Sequence, residues 1–252
     1  MKNMSIELIT STKNEYVKML RGLRQKKNRT RLLLAEGEKC VAEALRHARV
    51  ECVIADDEAD PVFAAAGARG ANRLLVSRAV MEAISDAKTP QHVCAAVCIE
   101  KKELPLEQGL YVALENVGDP GNVGTVIRTA DAAGAKAVLL SAGCADYTSP
   151  KVIRSTMGSA FHIPVVIAED FYGAVERIRA AGNAVLAAAL DGDEQADTPE
   201  NCCIMIGNES RGLTERAKEL ADINIRIPIF GDAESLNAGT AAAVLMYRAI
   251  WH

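Results

Sequence analysis

Three polar, glycine-bearing segments hold most of the side chains that could do chemistry: Glu115-Asn-Val-Gly-Asp-Pro-Gly-Asn-Val-Gly-Thr-Val-Ile-Arg128, Ile206-Gly-Asn-Glu-Ser-Arg-Gly-Leu213 and Ile227-Pro-Ile-Phe-Gly-Asp-Ala-Glu-Ser-Leu-Asn237. In the first, Gly118, Gly121 and Gly124 let the backbone turn sharply and approach a ligand closely. Asn122 reads as the N-cap of the helix that follows, and Gly134 as its C-cap. Arg128 could hold an anion, or form a surface pair with Asp131 three residues on. In the second segment Glu209 could cap the next helix or accept a charge-assisted hydrogen bond. In the third, Ser235 reads as an N-cap, which leaves Asn237 without a local structural task.

A strand, a glycine turn and a helix could equally form a dinucleotide site. Here the glycines run G-x-x-G-x-x-G rather than G-x-G-x-x-G, and Ser141 ends the next strand where a ribose-binding acid belongs. The Lys-Ser/Thr of a phosphate-binding P-loop is missing as well. A nucleotide-dependent oxidoreductase is therefore a secondary alternative.

The elements that must position these residues follow from periodicity. From Asn14 to about Lys27, Val17, Leu20 and Leu23 recur at helical spacing with basic residues on the other faces. Strands at Leu32–Ala35, Cys52–Ile54, Leu74–Val76 and Val93–Ile99 alternate with helices at Glu36–His47, Ala59–Ala66 and Arg78–Ser85, predicting a small α/β sandwich. Glu100-Lys-Lys-Glu-Leu-Pro-Leu-Glu-Gln-Gly109 is charged, carries a proline and ends in glycine, as short linkers do. It separates a domain of residues 1–105 from one of residues 106–252. In the second, aliphatic strands such as Ala137-Val-Leu-Leu suit a parallel sheet covered on both faces. The expected strands are Tyr111–Glu115, Ala137–Ser141, Pro164–Ala168, Ala184–Leu190, Cys203–Ile206 and Ile223–Ile227. The expected helices are Val123–Ala133, Pro150–Met157, Phe171–Ala181, Thr214–Leu220 and Leu236–Trp251. The fold class is α/β throughout.

Composition narrows the setting. With 49% hydrophobic residues but only 4% aromatics, the cores must rest on Ala, Val, Ile and Leu. Met1–Glu7 has no apolar leader and no later run approaches the roughly 20 apolar residues of a membrane span, so a cytoplasmic protein without membrane partners is expected. Seven cysteines, with Cys202 beside Cys203, make a poor disulfide framework. Cys94 and Cys98 fall on an apolar run and read as buried thiols. No Cys-x-x-Cys occurs and the four histidines are scattered, so no metal is expected. Net charge is only −4, yet Lys13, Lys18, Arg21, Arg24, Lys26, Lys27, Arg29 and Arg31 crowd against the single acid Glu15. Such a block attracts phosphate by Coulomb forces and counterion release; it could also be a solvated helix face.

Taken together, Asn122-x-Gly124-x-x-x-Arg128, Gly207-Asn208-Glu209 with Gly212, and Ile227-Pro228 followed by Ser235-Leu236-Asn237 resemble, in order and separation, the three signature motifs of SpoU/TrmH RNA methyltransferases of the SPOUT superfamily. Lys13-Asn14, Val17-Lys18, Arg29 and Glu36-Gly37 are similar to the accessory RNA-binding domain of many members. The resemblance implies an RNA ribose-2′-O-methyltransferase that uses S-adenosylmethionine, a C-terminal trefoil-knot domain behind a smaller N-terminal domain, and a homodimer whose site draws on both subunits. By motif match, Gly207, Ile227 and Leu236 would hold the cofactor, and Asn122, Arg128, Glu209, Ser235 and Asn237 would line the reaction site. Lys13, Lys18, Arg21, Arg24, Lys26, Lys27 and Arg29 would bind RNA. Members with this accessory domain point to ribosomal RNA, with transfer RNA as the alternative.

The sequence departs from the pattern at one place. Members often read Ser-Leu-Asn-Val-Ser-Val-Ala, whereas here Gly239 and Thr240 follow Asn237-Ala238. Arg128, the group the family proposes for catalysis, is a poor general base in principle, because guanidinium stays protonated up to a pH of about 12. Either an RNA phosphate helps it accept the proton, or it holds phosphate and polarises the hydroxyl. A catalytically idle RNA-binding module is the alternative from another class, though a scaffold would not need all five polar residues.

Overall fold

The computed structural model describes residues 7–251. The reading of the opening stretch as leaderless falls almost wholly on residues 1–6, outside the described residues. The chain divides into two compact units, residues 1–100 with 148–161, and residues 101–147 with 162–252.

The first unit contains β1 (Leu8–Ile9), α1 (Glu15–Gly22), β2 (Leu32–Glu36), α2 (Glu38–His47), β3 (Val50–Ala55), α3 (Pro61–Ala68), β4 (Asn72–Val76), α4 (Arg78–Ile84) and β5 (Val93–Cys98). Its sheet runs β1-β4-β3-β5-β2, parallel among β1, β4 and β3 and antiparallel where β5 pairs with β3 and β2. One face buries Leu33, Val41, Val53 and Phe63; the other buries Leu20, Ile54, Met81 and Ile84. The helix Pro150–Thr156, placed by sequence in the later domain, packs here through Ile153. Arg154 from that helix reaches Glu36 at 3.1 Å, whose carboxylate is 1% exposed and also accepts from Ser85 and the Gln91 amide.

Helix α1 begins as expected, with the Asn14 side chain accepting from the amides of Tyr16 and Val17, but it stops at Gly22 rather than near Lys27. The cause lies in two later side chains. Asn28 Nδ2 donates to the Gly22 carbonyl at 2.9 Å, and Arg29 Nη1 donates to the carbonyls of Leu23 and Arg24, both at 2.8 Å. Those acceptors are then unavailable for further helical turns.

This corrects the basic cluster. Arg29 is 9% exposed and its Nε donates to Thr148 Oγ1 at 3.1 Å. Arg24 donates to the Ile84 and Ala83 carbonyls at 2.8 and 2.5 Å, and also to the Ser85 carbonyl, closing the end of α4. Both guanidiniums serve the unit's own backbone. Lys13, Lys18, Arg21, Lys26 and Lys27 remain exposed, Lys18 beside Glu15 at 2.7 Å.

The second unit contains β6 (Leu110–Leu114), α5 (Pro120–Ala132), β7 (Ala137–Ser141), β8 (Val165–Ala168), α7 (Phe171–Ala180), β9 (Ala184–Asp193), β10 (Cys202–Ile206), α8 (Glu215–Leu220), β11 (Ile223–Ile225) and α9 (Ala238–Ile250), with α6 being the helix Pro150–Thr156 already described. All pairings in the sheet β11-β9-β10-β6-β7-β8 are parallel, as continuous aliphatic strands require. Helices α7 and α8 cover one face, α5 and α9 the other. The expected linker is tied into this unit: Tyr111 Oη donates to the Pro105 and Glu107 carbonyls, and buried Asn183 donates to the Glu107 carbonyl at 3.0 Å. All seven cysteines are free, and burial pushes the thiols of Cys40 and Cys202 up to about 12, so they stay protonated. Among the described residues no helix is long and apolar enough to cross a membrane.

Replacing Arg29 by Ala should destabilise the protein by roughly 2–4 kcal/mol, because it strands buried carbonyls, whereas Lys26→Ala with Lys27→Ala should stay within about 0.5 kcal/mol per site. Urea denaturation midpoints decide it; equal effects would return Arg29 to the surface-charge class.

Candidate active site

Strand order places the site. From β6 the chain winds outward to β7 and β8, then crosses to β9 and returns through β10, which lies directly beside β6 with Ile206 opposite Leu114. Connections leave these two neighbours in opposite directions, and the ends of such strands open a crevice. Glu115 follows β6 and Gly207 follows β10, so two of the three chemical segments emerge side by side. The third runs from β11 into α9.

Within this crevice one carboxylate collects the loops. Glu209 Oε1 accepts from Asn122 Nδ2 at 2.8 Å and from the Asp119 amide at 3.3 Å, while Oε2 accepts from the Gly118 amide at 3.4 Å. Asn122 Oδ1 in turn accepts from Asn237 Nδ2 at 2.8 Å. Asn237 Oδ1 accepts the first amides of α9, from Gly239 at 2.9 Å and Thr240 at 3.2 Å. Burial pushes the Glu209 carboxyl upward, but the hydrogen bonds from Asn122 and from the Asp119 and Gly118 amides outweigh it and hold the group below its usual value.

Three capping expectations change. Asp119, not Asn122, caps α5, accepting from the Asn122 amide at 2.9 Å with Pro120 at the first helical position. The Asp-Pro pair carried that signal. Asn122 thereby sits inside the helix, 8% exposed, with its side chain free for Glu209 and Asn237. Asn237, not Ser235, caps α9. Thr214 caps α8, so Glu209 does not; it stands at the entrance to α5 instead. Gly134 follows the last turn of α5 at φ +72° as expected.

Beside this network lies a cleft of about 600 Å³ lined by 188–191, 206–213, Ile225, Ile227, Ile229, Ser235, Leu236 and neighbours. Gly207, Ile227, Leu236, Ser235 and Glu209 all face it. Gly207 admits no side chain, since a Cβ there would lie 2.2 Å from the Gly212 carbonyl carbon and the Leu213 nitrogen. Asn208 folds the loop by accepting from the Ser210 and Arg211 amides and donating to the Asn116 carbonyl at 2.9 Å. Volume and lining suit a nucleoside-sized ligand: the isoleucines offer an apolar wall, and Glu209 and Glu234, with Asp191 and Glu215 paired to Lys218 at 3.3 Å and Arg211 the other base, leave the lining net negative.

Arg128 is not brought to this network. It lies six residues, about 1.7 turns, beyond Asn122 on α5, about 120° round the helix at 100° per residue, exposed, and makes no hydrogen bond or ion pair among the described residues. Among the described residues Arg128 does not pair with Asp131, which instead binds His162 at 2.8 Å.

Residues 109–247 match the SpoU rRNA Methylase family, and residues 14–95 match the MRM3-like substrate binding domain. The chain belongs to the SpoU rRNA methylase family. Membership sets the reaction as methyl transfer to RNA with S-adenosylmethionine as donor. The chain is 38% identical over 247 residues to the 23S rRNA (guanosine(2553)-2′-O)-methyltransferase RlmP of Bacillus subtilis, covering 95% of this chain and 98% of that one. Its structure is similar to the S-adenosylmethionine-bound rRNA methyltransferase of Sinorhizobium meliloti, with a TM-score of 0.85, 36% identity and 97% coverage of both chains. AviRb of Streptomyces viridochromogenes with the same cofactor gives a TM-score of 0.83 at 27% identity, covering 94% of this chain and 97% of that one.

The departure from the SpoU motif has a packing reason. A Cβ on Gly239 would lie 3.2 Å from both Asn237 Oδ1 and Thr125 Cγ2, so glycine keeps the start of α9 clear of its own cap and of α5. Thr240 is exposed and gives its amide to Asn237.

Because the folded pKa of Glu209 lies below its ordinary 4.5, its stabilisation is complete above that value and disappears as pH falls through the folded pKa. Wild type should therefore exceed Glu209→Gln in stability at neutral pH, and the gap should narrow on acidification. Urea midpoints across an acid series test this; a gap independent of pH would refute it.

Proposed function

We propose that this chain methylates a ribose 2′-hydroxyl of large-subunit ribosomal RNA, as a cytoplasmic homodimer. The observation that carries the reading is the Glu209–Asn122–Asn237 chain of hydrogen bonds, which ties three loops together at the edge of a nucleoside-sized cleft. Ribosomal RNA is favoured over transfer RNA by the MRM3-like substrate-binding match and by the 23S substrate named for the Bacillus relative. The trefoil knot of the family belongs to this reading, with segments 206–213 and 225–241 wrapped about one cleft.

When bound, S-adenosylmethionine supplies a methyl group already activated on a sulfonium. The protein's task is then alignment and removal of a proton. Gly207 brings backbone close to the donor, and Ile227 and Leu236 give it apolar contact. Asn237, held by Asn122 and by its own helix, fixes the rim beside Ser235. Arg128 holds an RNA phosphate and polarises the 2′-hydroxyl, or accepts the hydroxyl's proton with that phosphate's help.

Its position supports a two-subunit site. Turned away from Asn122 and unpaired, Arg128 suits a partner's cleft better than its own. A second copy also has an apolar surface to cover: Val244 and Tyr247 on one side of α9 and Trp251 just past its end, with Val244 41% and Trp251 80% exposed.

In a methylation assay on ribosomal RNA, Arg128→Lys should lose most turnover, because lysine lacks the planar fork; near-normal rates would discard both roles for Arg128. Arg128→Ala and Gly207→Ala should each be inactive alone. Equal mixtures, dissociated and reassembled, should regain about one quarter of wild-type activity, from mixed dimers with one intact site. No recovery would overturn the shared site, and transfer-RNA methylation without ribosomal activity would overturn the substrate assignment.

For RNA affinity, Arg21→Ala, Lys26→Ala and Lys27→Ala together should weaken binding and flatten its dependence on salt by up to roughly one phosphate contact each. An unchanged slope would remove this surface from the RNA path.

A further inference from the structure

Glu115 has no part in the network around Glu209, yet it is 2% exposed at the end of the strand from which the first loop departs. A carboxylate buried this far demands partners. Among the described residues it has three donors and no cation: the Thr214 amide reaches Oε2 at 2.8 Å, the Thr214 hydroxyl reaches Oε1 at 2.8 Å, and the Tyr172 hydroxyl also donates to Oε1. Arg216 lies over the Tyr172 ring, 4.0 Å from its centre, and closes the cluster from outside.

The placement of Thr214 gives this cluster its meaning. It is the residue after Leu213, where the 207–213 loop ends, and it caps α8 by accepting from the Ala217 amide at 3.2 Å. At the other end, the Glu115 amide donates to the Ile206 carbonyl at 2.9 Å, one residue before the loop begins. One residue therefore grips both ends of the loop that carries Glu209, through its backbone at the entrance and its side chain at the exit. The remaining fasteners, Asn208 to Asn116 and Glu209 to Gly118, Asp119 and Asn122, lie on the loop itself and nearer solvent.

We propose that Glu115 is a positioning residue for methyl transfer, fixing the 207–213 loop so that Glu209 meets Asn122 and the cleft keeps its shape. This rests on the methyltransferase reading above. A carboxylate is required because three donors converge on its two oxygens. Glutamine would offer one acceptor oxygen and turn an N–H toward at least one donor.

The test uses the full-length protein, titrated calorimetrically with S-adenosylmethionine and assayed on RNA, with melting temperature and amide hydrogen exchange recorded alongside. Glu115→Gln should weaken S-adenosylmethionine binding about tenfold, lower kcat, and raise exchange within 207–213. Thr214→Val, which removes the hydroxyl but keeps the amide, should move all three in the same direction. Thr214→Ser should restore values to within about twofold of wild type. Ile178→Val, in the core beneath α7, should lower the melting temperature without changing the dissociation constant or kcat. If Glu115→Gln or Thr214→Val behaves like Ile178→Val, Glu115 is only a structural staple and the inference falls. A wild-type protein that fails to bind S-adenosylmethionine would overturn the functional reading and this inference with it, whereas binding by wild type with unaltered variants overturns the inference alone.

Discussion

The arrangement depends on one property of a carboxylate: ionised, it can only accept hydrogen bonds. Glu209 therefore compels Asn122 to present its amide nitrogen, which turns Asn122 Oδ1 the other way. That oxygen can be satisfied only by a donor, so Asn237 must offer its nitrogen and aim its own oxygen back at the amides of α9. A single charge thus sets the orientation of two side-chain amides and the start of a helix, across loops that are 87 and 115 residues apart in sequence. Replacing either asparagine by an isosteric apolar residue would leave the polarity of the chain undefined, not merely one bond weaker.

Such a chain needs loops that arrive together, and the parallel sheet provides them. Adjacent strands β6 and β10 end at the same level, so the amides of Gly118 and Asp119 can face Glu209 without a long excursion of either segment. Within the 207–213 loop itself the chain folds back so tightly that Gly207 and Gly212 meet through backbone alone, and Gly212 takes φ +68° to allow it. Glycine is required at these positions for two separate reasons, one steric and one conformational.

How much of this could be read from the residues alone varied with the range of the interaction. Strands and helices were legible because aliphatic periodicity is local, and nearly every expected element appears within a few residues of its place. The three loops were legible because polar residues after buried strands have few structural tasks. Their internal roles were not. Asn122 and Ser235 both look like helix caps in isolation; the Asp119-Pro120 pair carried a local signal that Asp119 caps α5, but only the geometry reveals that Asn237 caps α9. Arg24 and Arg29 read as surface cations since their true partners, carbonyls at the ends of α4 and α1, carry no side-chain signature. The helix Pro150–Thr156 joins the first unit through Arg154 and Glu36, a pairing 118 residues apart that no periodicity encodes. Glu115 was passed over for the same reason: a lone acid after a strand says nothing about a threonine 99 residues away.

Helix α5 shows why the proposed site calls for two chains. Its inward side carries Asn122, Val123, Val126, Ile127 and Ala130, all buried, and is fully committed to the core and to α9. A residue proposed to meet a phosphate cannot share that side, since burying a guanidinium without a carboxylate beside it is costly. Arg128 is accordingly on the solvent side, where it keeps its charge hydrated but gives up any direct path to Asn122. One helix can serve both purposes only if its two sides belong to different sites: the buried side completes the cleft of its own chain, and the exposed side, in the proposed dimer, completes the cleft of the other. In the proposed dimer, the separation of Arg128 from Asn122 within one chain follows from that division of the helix.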